Sequence, residues 1–189
     1  MKAEVIRARA AEVEDERLLE LARSGDVDAF GELVRRYERR VGAVLARLLP
    51  DRRDVEEALQ DTFVQAWRSL DRFRGRSAIF TWLYRIAVNE ALQRLRRRQP
   101  ELRELSDVPS EDSVAEPPDL ELRSFLADRV NALPFEYRAP LVLRDLEGLS
   151  NQEVADVLEI SLAAAKSRIH RARMQLRKEL EAFEASGAR

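Results

Sequence analysis

The sequence predicts an all-α protein built as two small helical domains joined by a flexible acidic linker. Three observations predict it. Of 189 residues, 26 are Leu and 25 are Ala, both strong helix formers, whereas aromatics make up 6% and Gly occurs only 6 times. Apolar residues recur at helical spacing through most of the chain rather than alternating. That pattern breaks once, between Pro100 and Pro118, where four prolines fall among acidic residues and few large apolar groups.

The first 25 residues mix dense charge with weak periodicity, and a short helix is expected around Leu18, Leu19 and Leu21. From Asp26 the pattern strengthens. Phe30, Leu33, Val34, Tyr37, Val41, Val44, Leu45 and Leu48 fall at helical spacing until Pro50 ends the run. A second amphipathic helix follows Asp54, with Val55, Ala58, Leu59, Thr62, Ala66, Trp67 and Leu70 on one stripe. The basic segment 71–77 contains a Gly and reads as a loop. Ser77 is placed to cap a third helix running to about Arg98, with Phe80, Leu83, Tyr84, Ala87, Val88, Ala91 and Leu95 facing the core. Residues 1–99 thus read as one bundle.

Residues 100–119 read as the linker; roughly 20 residues at about 3.3 Å each reach some 65 Å when extended. Helices resume in residues 120–189. Leu122, Phe125, Leu126, Val130 and Leu133 make a helix that stops at Pro134. Pro134 suits the first position of the next helix, which carries Tyr137, Leu141, Val142 and Leu146. Pro140 inside it implies a kink or a late start. Gly148 ends that helix, and Ser150-Asn151-Gln152-Glu153 has the form of a capping box. A short helix over Asn151–Leu158, a tight turn at Glu159–Ser161 and a long basic helix from Leu162 to about Phe183 form a helix-turn-helix signature.

Composition removes several function classes. Cys is absent, which excludes disulfides, thiolate metal sites, thiol nucleophiles and direct thiol redox sensing. The single His, His170, argues against a zinc enzyme or a His-centred acid–base mechanism. No apolar run exceeds four residues, so neither a membrane span nor a secretory signal is expected, and the chain is placed in the cytoplasm. Gly-rich phosphate loops and nucleophile elbows do not occur, so no enzyme activity, cofactor or small-molecule substrate is expected. The net charge of −2 conceals segregation. Residues 1–100 carry 21 basic against 17 acidic groups, residues 101–123 carry 2 against 8, and residues 124–189 carry ten of each.

Three side-chain constellations stand out. The last helix opens on the small residues Ala163, Ala164 and Ala165 and continues with Lys166, Ser167, Arg168, His170, Arg171 and Arg173. Small residues let a helix end approach a groove, and cations along its length suit phosphates, so DNA binding is expected. On the third helix, Trp82, Arg85, Ile86, Asn89, Gln93 and Arg96 share a face beside the basic loop 72–76, a combination able to hold unstacked bases. Periodicity alone favours a Trp82 packed in the bundle with solvated arginines around it. The third, Glu56, Glu57, Gln60, Asp61 and Gln65, is an acidic and amide face. Glu56 and Glu57 splay about 100° apart with no converging His or third carboxylate, which suits a solvated surface or a protein-docking face rather than catalysis or a metal.

Taken together, DVEEALQDTFVQAWRSLDRFRG (54–75), FTWLYRIAVNEALQRLRRR (80–98) and LPFEYRAPLVLRDLEGLSNQEVADVLEISLAAAKSRIHRARMQL (133–176) resemble bacterial RNA polymerase sigma factors of the extracytoplasmic-function group. The resemblance runs from about Leu18 to Leu180. It implies a promoter-melting helical bundle, corresponding to the family's second region, and a helix-turn-helix domain, corresponding to its fourth, with the third region missing. It implies that Glu57, Gln60, Asp61 and Gln65 face core RNA polymerase. The −10 element of the promoter is then met by Arg74, Gly75, Arg76, Ser77, Trp82, Arg85 and Asn89, with Ala78 in the same loop. Ser161, Ala164, Lys166, Ser167, Arg168 and Arg171 read the −35 element. The acidic linker, by similarity, threads the polymerase's RNA channel. Members of the group are commonly held by an anti-sigma factor, often membrane-anchored, so such a partner is implied here.

One departure is Glu159, where members often carry Gly. A positive φ costs a non-Gly residue about 1 kcal/mol or more, so a slightly reshaped turn is expected. From the residues alone, a stand-alone regulator binding operator DNA through 134–180 also explains the helix-turn-helix. It leaves the first hundred residues and the acidic linker without a role. A protein-binding adaptor is the remaining class, for which Lys166, Arg168 and Arg171 would be dispensable.

Overall fold

The computed structural model describes residues 2–73, 78–102 and 118–187. Among these residues there is no strand; the elements are α1 (Lys2–Arg23), α2 (Val27–Leu48), α3 (Arg52–Arg68), α4 (Ile79–Leu102), α5 (Pro118–Ala132), α6 (Phe135–Leu141), α7 (Asn151–Leu158) and α8 (Leu162–Gly187). A short 3-10 turn, Leu70–Arg72, follows α3, and a π turn, Val142–Leu146, follows α6.

Helix α1 is much longer than the short helix expected. Its first half is rich in Ala, Glu and Arg, and the first breaker is Gly25, whose φ of 96° ends the helix where a side chain would be strained. Asp26 caps α2 by accepting from the Ala29 amide at 3.0 Å. Asp51, not Asp54, caps α3, accepting from the Arg53 amide at 2.8 Å, so α3 starts three residues earlier than its apolar stripe suggests. Val41, Val44, Leu45 and Leu48 of α2 are fully buried against Ala58 and Ala66 of α3 and Tyr84, Ala87 and Ala91 of α4. Thr62 is buried among them, and its hydroxyl donates to the Ala58 carbonyl at 2.6 Å, which removes the cost of an unpaired polar group. Buried Asp15 ties α1 to α2, accepting from Arg36 at 2.5 Å and from the Tyr37 hydroxyl.

In the second half, Pro134 sits one residue before α6 as its N-cap, and Pro140 lies inside the helix. The helix opens into the π turn immediately afterwards, closed by the Glu147 amide donating to the Val142 carbonyl at 3.1 Å. Gly148, at φ 76°, turns the chain into α7. The capping box forms as read: the Glu153 amide donates to the Ser150 hydroxyl at 3.2 Å and the Ser150 amide to the Glu153 carboxylate at 2.7 Å. Buried Arg138 reaches back to the Asn131 carbonyl at 2.8 Å, and burial lowers its pKa below the ordinary value.

The two halves touch. Helix α7 packs along α4, and the π turn meets α2. One apolar cluster runs through both, joining Leu45 and Tyr84 to Leu143, Val154 and Ile169. The stretch read as linker is helical at both ends, because α4 continues to Leu102 and α5 begins at Pro118.

Candidate nucleic-acid interface and docking face

The turn between α7 and α8 is the local device that aims α8. Glu159 takes the left-handed conformation outright, with φ 53° and ψ 42°, so the reshaped turn expected from a non-Gly residue does not occur. The Ile160 amide closes the turn on the Ala155 carbonyl at 3.0 Å. Strain is accepted because the packed helices on both sides fix the geometry. Glu159→Gly therefore raises stability by about 0.5–1 kcal/mol, the relieved strain minus glycine's extra unfolded-state entropy, and thermal unfolding checks it.

Along α8 the expected reading residues are not equivalent. The Ser161 hydroxyl accepts from the Ala164 amide at 3.1 Å and so serves as the N-cap rather than as a free group. Ala164 is half-buried, whereas Lys166, Ser167 and Arg171 are exposed. Arg168 is half-buried and lines a groove with Asn89, Leu92 and Arg96 of α4 and Leu158 of α7. Arg173 is held by Asp145 at 2.9 and 2.5 Å, a fork that also raises its pKa.

On α4, Trp82 is 5% exposed and packs on Phe73 with ring centroids 4.9 Å apart. Arg85 is half-buried and approaches Glu159 at 3.8 Å, while Asn89 is exposed. Arg74, Gly75, Arg76 and Ser77, and with Ser77 the expected cap of α4, lie outside the described residues.

On α3, Glu57, Asp61 and Gln65 follow one another at four-residue intervals and form one exposed stripe. Asp61 accepts from Arg94 of α4, which also holds Glu90 at 2.9 Å, so this carboxylate positions α3 on α4 as well as facing outward. Gln60 belongs to the adjacent face and lines a groove of about 620 Å³ between α2 and α3. Its floor is Phe30, Val34, Leu59 and Phe63, its lip Val64 and Trp67, and its rim carries Glu38 and Glu56. Trp67, expected on the buried stripe, is 38% exposed and stands edge-on to Phe30 at 5.0 Å; Val64 is 39% exposed. Trp67 and Val64 thus add an exposed apolar edge beside the expected docking face, which sequence reasoning did not foresee. The signal was present in Val64, an apolar residue outside the core stripe of α3. Among the described residues no group of His, Asp and Glu converges to hold a metal, and no helix is long and apolar enough to cross a membrane.

Residues 33–101 match the sigma-70 region 2 family and residues 126–176 match sigma-70 region 4. The ECF RNA polymerase sigma-E factor of Haemophilus influenzae is 35% identical over 186 residues, covering 91% of this chain and 98% of that protein. The same factor of Escherichia coli K12 is 36% identical over 173 residues, covering 84% and 90%. CnrH, solved in complex with the cytosolic domain of CnrY, has 32% identity and a TM-score of 0.69 over 89% of this chain and 98% of its own. The sigma factor RpoE from Bartonella quintana, solved with the anti-sigma factor NepR, shares the fold at 24% identity, with a TM-score of 0.67 over 82% and 98%. Family, relatives and fold agree through both halves, with α3 and α4 inside one matched region and the capped helix-turn-helix inside the other. The chain belongs to the extracytoplasmic-function sigma factors of bacterial RNA polymerase.

Proposed function

We propose that residues 1–99 dock on core polymerase and open the −10 element, that residues 120–189 read the −35 element, and that residues 100–119 tether the two units. The observation that carries this reading is the coexistence of two unlike surfaces on one chain. One is the apolar groove of α2 and α3 with its carboxylate rim, suited to a protein helix with basic flanks. The other is a capped helix-turn-helix whose α8 presents Lys166, Ser167 and Arg171 to solvent. Gln60 lines the groove, and Glu57, Asp61 and Gln65 flank it, which supports their assignment to the polymerase interface.

Catalysis belongs to the polymerase; the sigma factor supplies promoter choice and strand opening. Unstacking costs a few kcal/mol per step, and capture of an extruded base beside Arg85 and Asn89 offsets it. Two modest DNA contacts held together by the polymerase gain avidity that neither has alone. The protein works in the cytoplasm beside the polymerase. Its relative CnrH is bound by the cytosolic domain of another protein, which supports an anti-sigma partner here, anchored in the membrane in the manner common to the group.

Run-off transcription with sigma-free core polymerase on a genomic fragment library tests the reading. Discrete start sites that depend on this chain are expected, together with negligible sequence preference from the chain alone. A tight, sequence-specific footprint from the isolated protein, or no new transcript and no core binding, would overturn it.

A further inference from the structure

We propose that Arg23, on a helix outside both matched regions, is a positioning residue for capture of the −10 strand. It fixes Phe73, and through Phe73 the edge of the face that Trp82, Arg85 and Asn89 form on α4. The proposal rests on the assignment of that face to the −10 element above and adds a residue that acts on it without touching DNA.

The last turn of α1 is closed at both ends of its final residues. The Gly25 amide donates to the Ala22 carbonyl at 3.0 Å and the Asp26 amide to the Leu21 carbonyl at 3.1 Å, the paired bonds of a Schellman motif. Leu18, Leu19 and Ala22 are buried in the core, so the backbone that carries Arg23 is held from within. From there the side chain reaches across to the end of the 3-10 turn, 47 and 50 residues further on. Its Nε donates to the Leu70 carbonyl at 3.4 Å and its Nη2 to the Phe73 carbonyl. The guanidinium also lies 5.9 Å from the centroid of the Phe73 ring. A planar fork meets two carbonyls and a ring together, which a single-point cation cannot do.

Phe73 is where such a hold matters. Its ring is 8% exposed and packs on Trp82, at 4.9 Å between centroids. It is also the last residue before 74–77, and Ala78 is the first after them. The Ala78 end is set by α4 itself, since the Trp82 amide donates to the Ala78 carbonyl at 3.3 Å. The Phe73 end is set by Arg23, from a different helix. Arg85 lies one turn beyond Trp82, so the side chains proposed to hold an extruded base sit beside the residue that Arg23 anchors. The fold itself has other ties in this place. Helix α1 is held to α2 by Asp15 with Arg36 and Tyr37, and Arg23 is exposed, so its bonds to carbonyls add little to stability.

Holoenzyme assembled from core polymerase and each variant tests the proposal. The probe is a single-stranded oligonucleotide carrying the non-template −10 sequence of the start sites that run-off transcription maps. Arg23→Met keeps the length of the side chain and its cover on the Phe73 ring but removes every donor; Arg23→Lys keeps one charged donor. Arg85→Ala is the reference for direct contact. Arg23→Met is expected to weaken strand binding about tenfold and Arg23→Lys about threefold, the cost of a contact shifted by a fraction of an ångström. Affinity for core polymerase, and holoenzyme binding to duplex carrying the −35 element, stay within a factor of about two in both variants. Unchanged strand binding in Arg23→Met overturns the positioning role, and so does a parallel loss of core, −35 and strand binding, which would place Arg23 in the fold alone. The reference separates the two ideas. Loss in Arg85→Ala with none in Arg23→Met removes Arg23 and leaves the −10 face standing, whereas no loss in Arg85→Ala condemns the face and the proposal with it.

Discussion

Trp67→Ala is expected to weaken binding of this sigma factor to core polymerase by about thirtyfold or more, the effect of removing an aromatic anchor from the lip of the groove proposed to dock it. The physical grounds are local. Trp67 is a large apolar side chain at the lip of a groove floored by Phe30, Val34, Leu59 and Phe63, and solvent still reaches 38% of it. An indole in that position loses little by being there, since Phe30 supports one edge, and gains a full face of contact when a partner helix enters. The fold depends on it less: the expected loss is about 1–2 kcal/mol, because the residue is only partly enclosed. Val64→Glu provides an independent variant. Val64 is 39% exposed, and Glu is a better helix former, so the fold is unharmed while a charge enters the groove beside Glu56. Both variants should lose binding to sigma-free core in a titration at fixed salt. Glu57→Ala, which removes an exposed carboxylate paired with Arg53 at 3.2 Å, should change affinity only by a factor of about two to five. Affinities for Trp67→Ala and Val64→Glu within a factor of about two of the unmodified chain would remove the groove from the interface.

The contrast between Trp67 and its neighbours shows where a sequence stops being informative. Ala58, Thr62 and Ala66 lie on the same helical stripe and are buried as expected, because helical period fixes direction. Period does not reveal where the neighbouring helices end. Trp67 follows Ala66 by about 100° and falls beside Leu59 and Phe63 on the flank of that stripe, where it meets Phe30 at the lip of the groove between α2 and α3 and stays partly exposed. Features closed within a few residues were legible: the reciprocal Ser150 and Glu153 bonds, and the start of α8 at Leu162. Ser161 shows the limit even at short range. A hydroxyl at the head of a recognition helix reads as a base contact, yet it is also the best available N-cap, and the helix uses it as one. Glu159 was legible as a departure but not in its outcome, since whether a turn reshapes or accepts strain depends on the packing around it. The contacts of the Glu147 carboxylate with the Tyr84 hydroxyl and Arg47 had no sequence signal at all. Their partners are 63 and 100 residues distant, and nothing local about a Glu after a π turn says which helices it will meet.

Lys166→Ala with Arg171→Ala lowers transcription from a promoter that needs its −35 element by about 10–100-fold, with each single change lowering the slope of log affinity against log salt by about one. Exposed cations of this kind act chiefly by displacing counterions from phosphates, so their signature is salt dependence rather than base preference. Arg173 is the discriminating control, only two residues further along the same helix. Its guanidinium is already engaged by both oxygens of Asp145, at 2.9 and 2.5 Å, and the charge is neutralised within the domain. Arg173→Ala should therefore leave the salt slope of holoenzyme binding nearly unchanged while lowering thermal stability, because it frees Asp145 from the fork that ties α8 to the π turn. A solvated basic face with no defined docking geometry makes a different prediction, in which charge is interchangeable along the helix. Equal slope changes for Lys166→Ala, Arg171→Ala and Arg173→Ala would favour that simpler electrostatic attraction. Unequal ones, in the order set by which cations are free, would mean that α8 enters the groove in a fixed orientation, with its N-terminal half toward the bases.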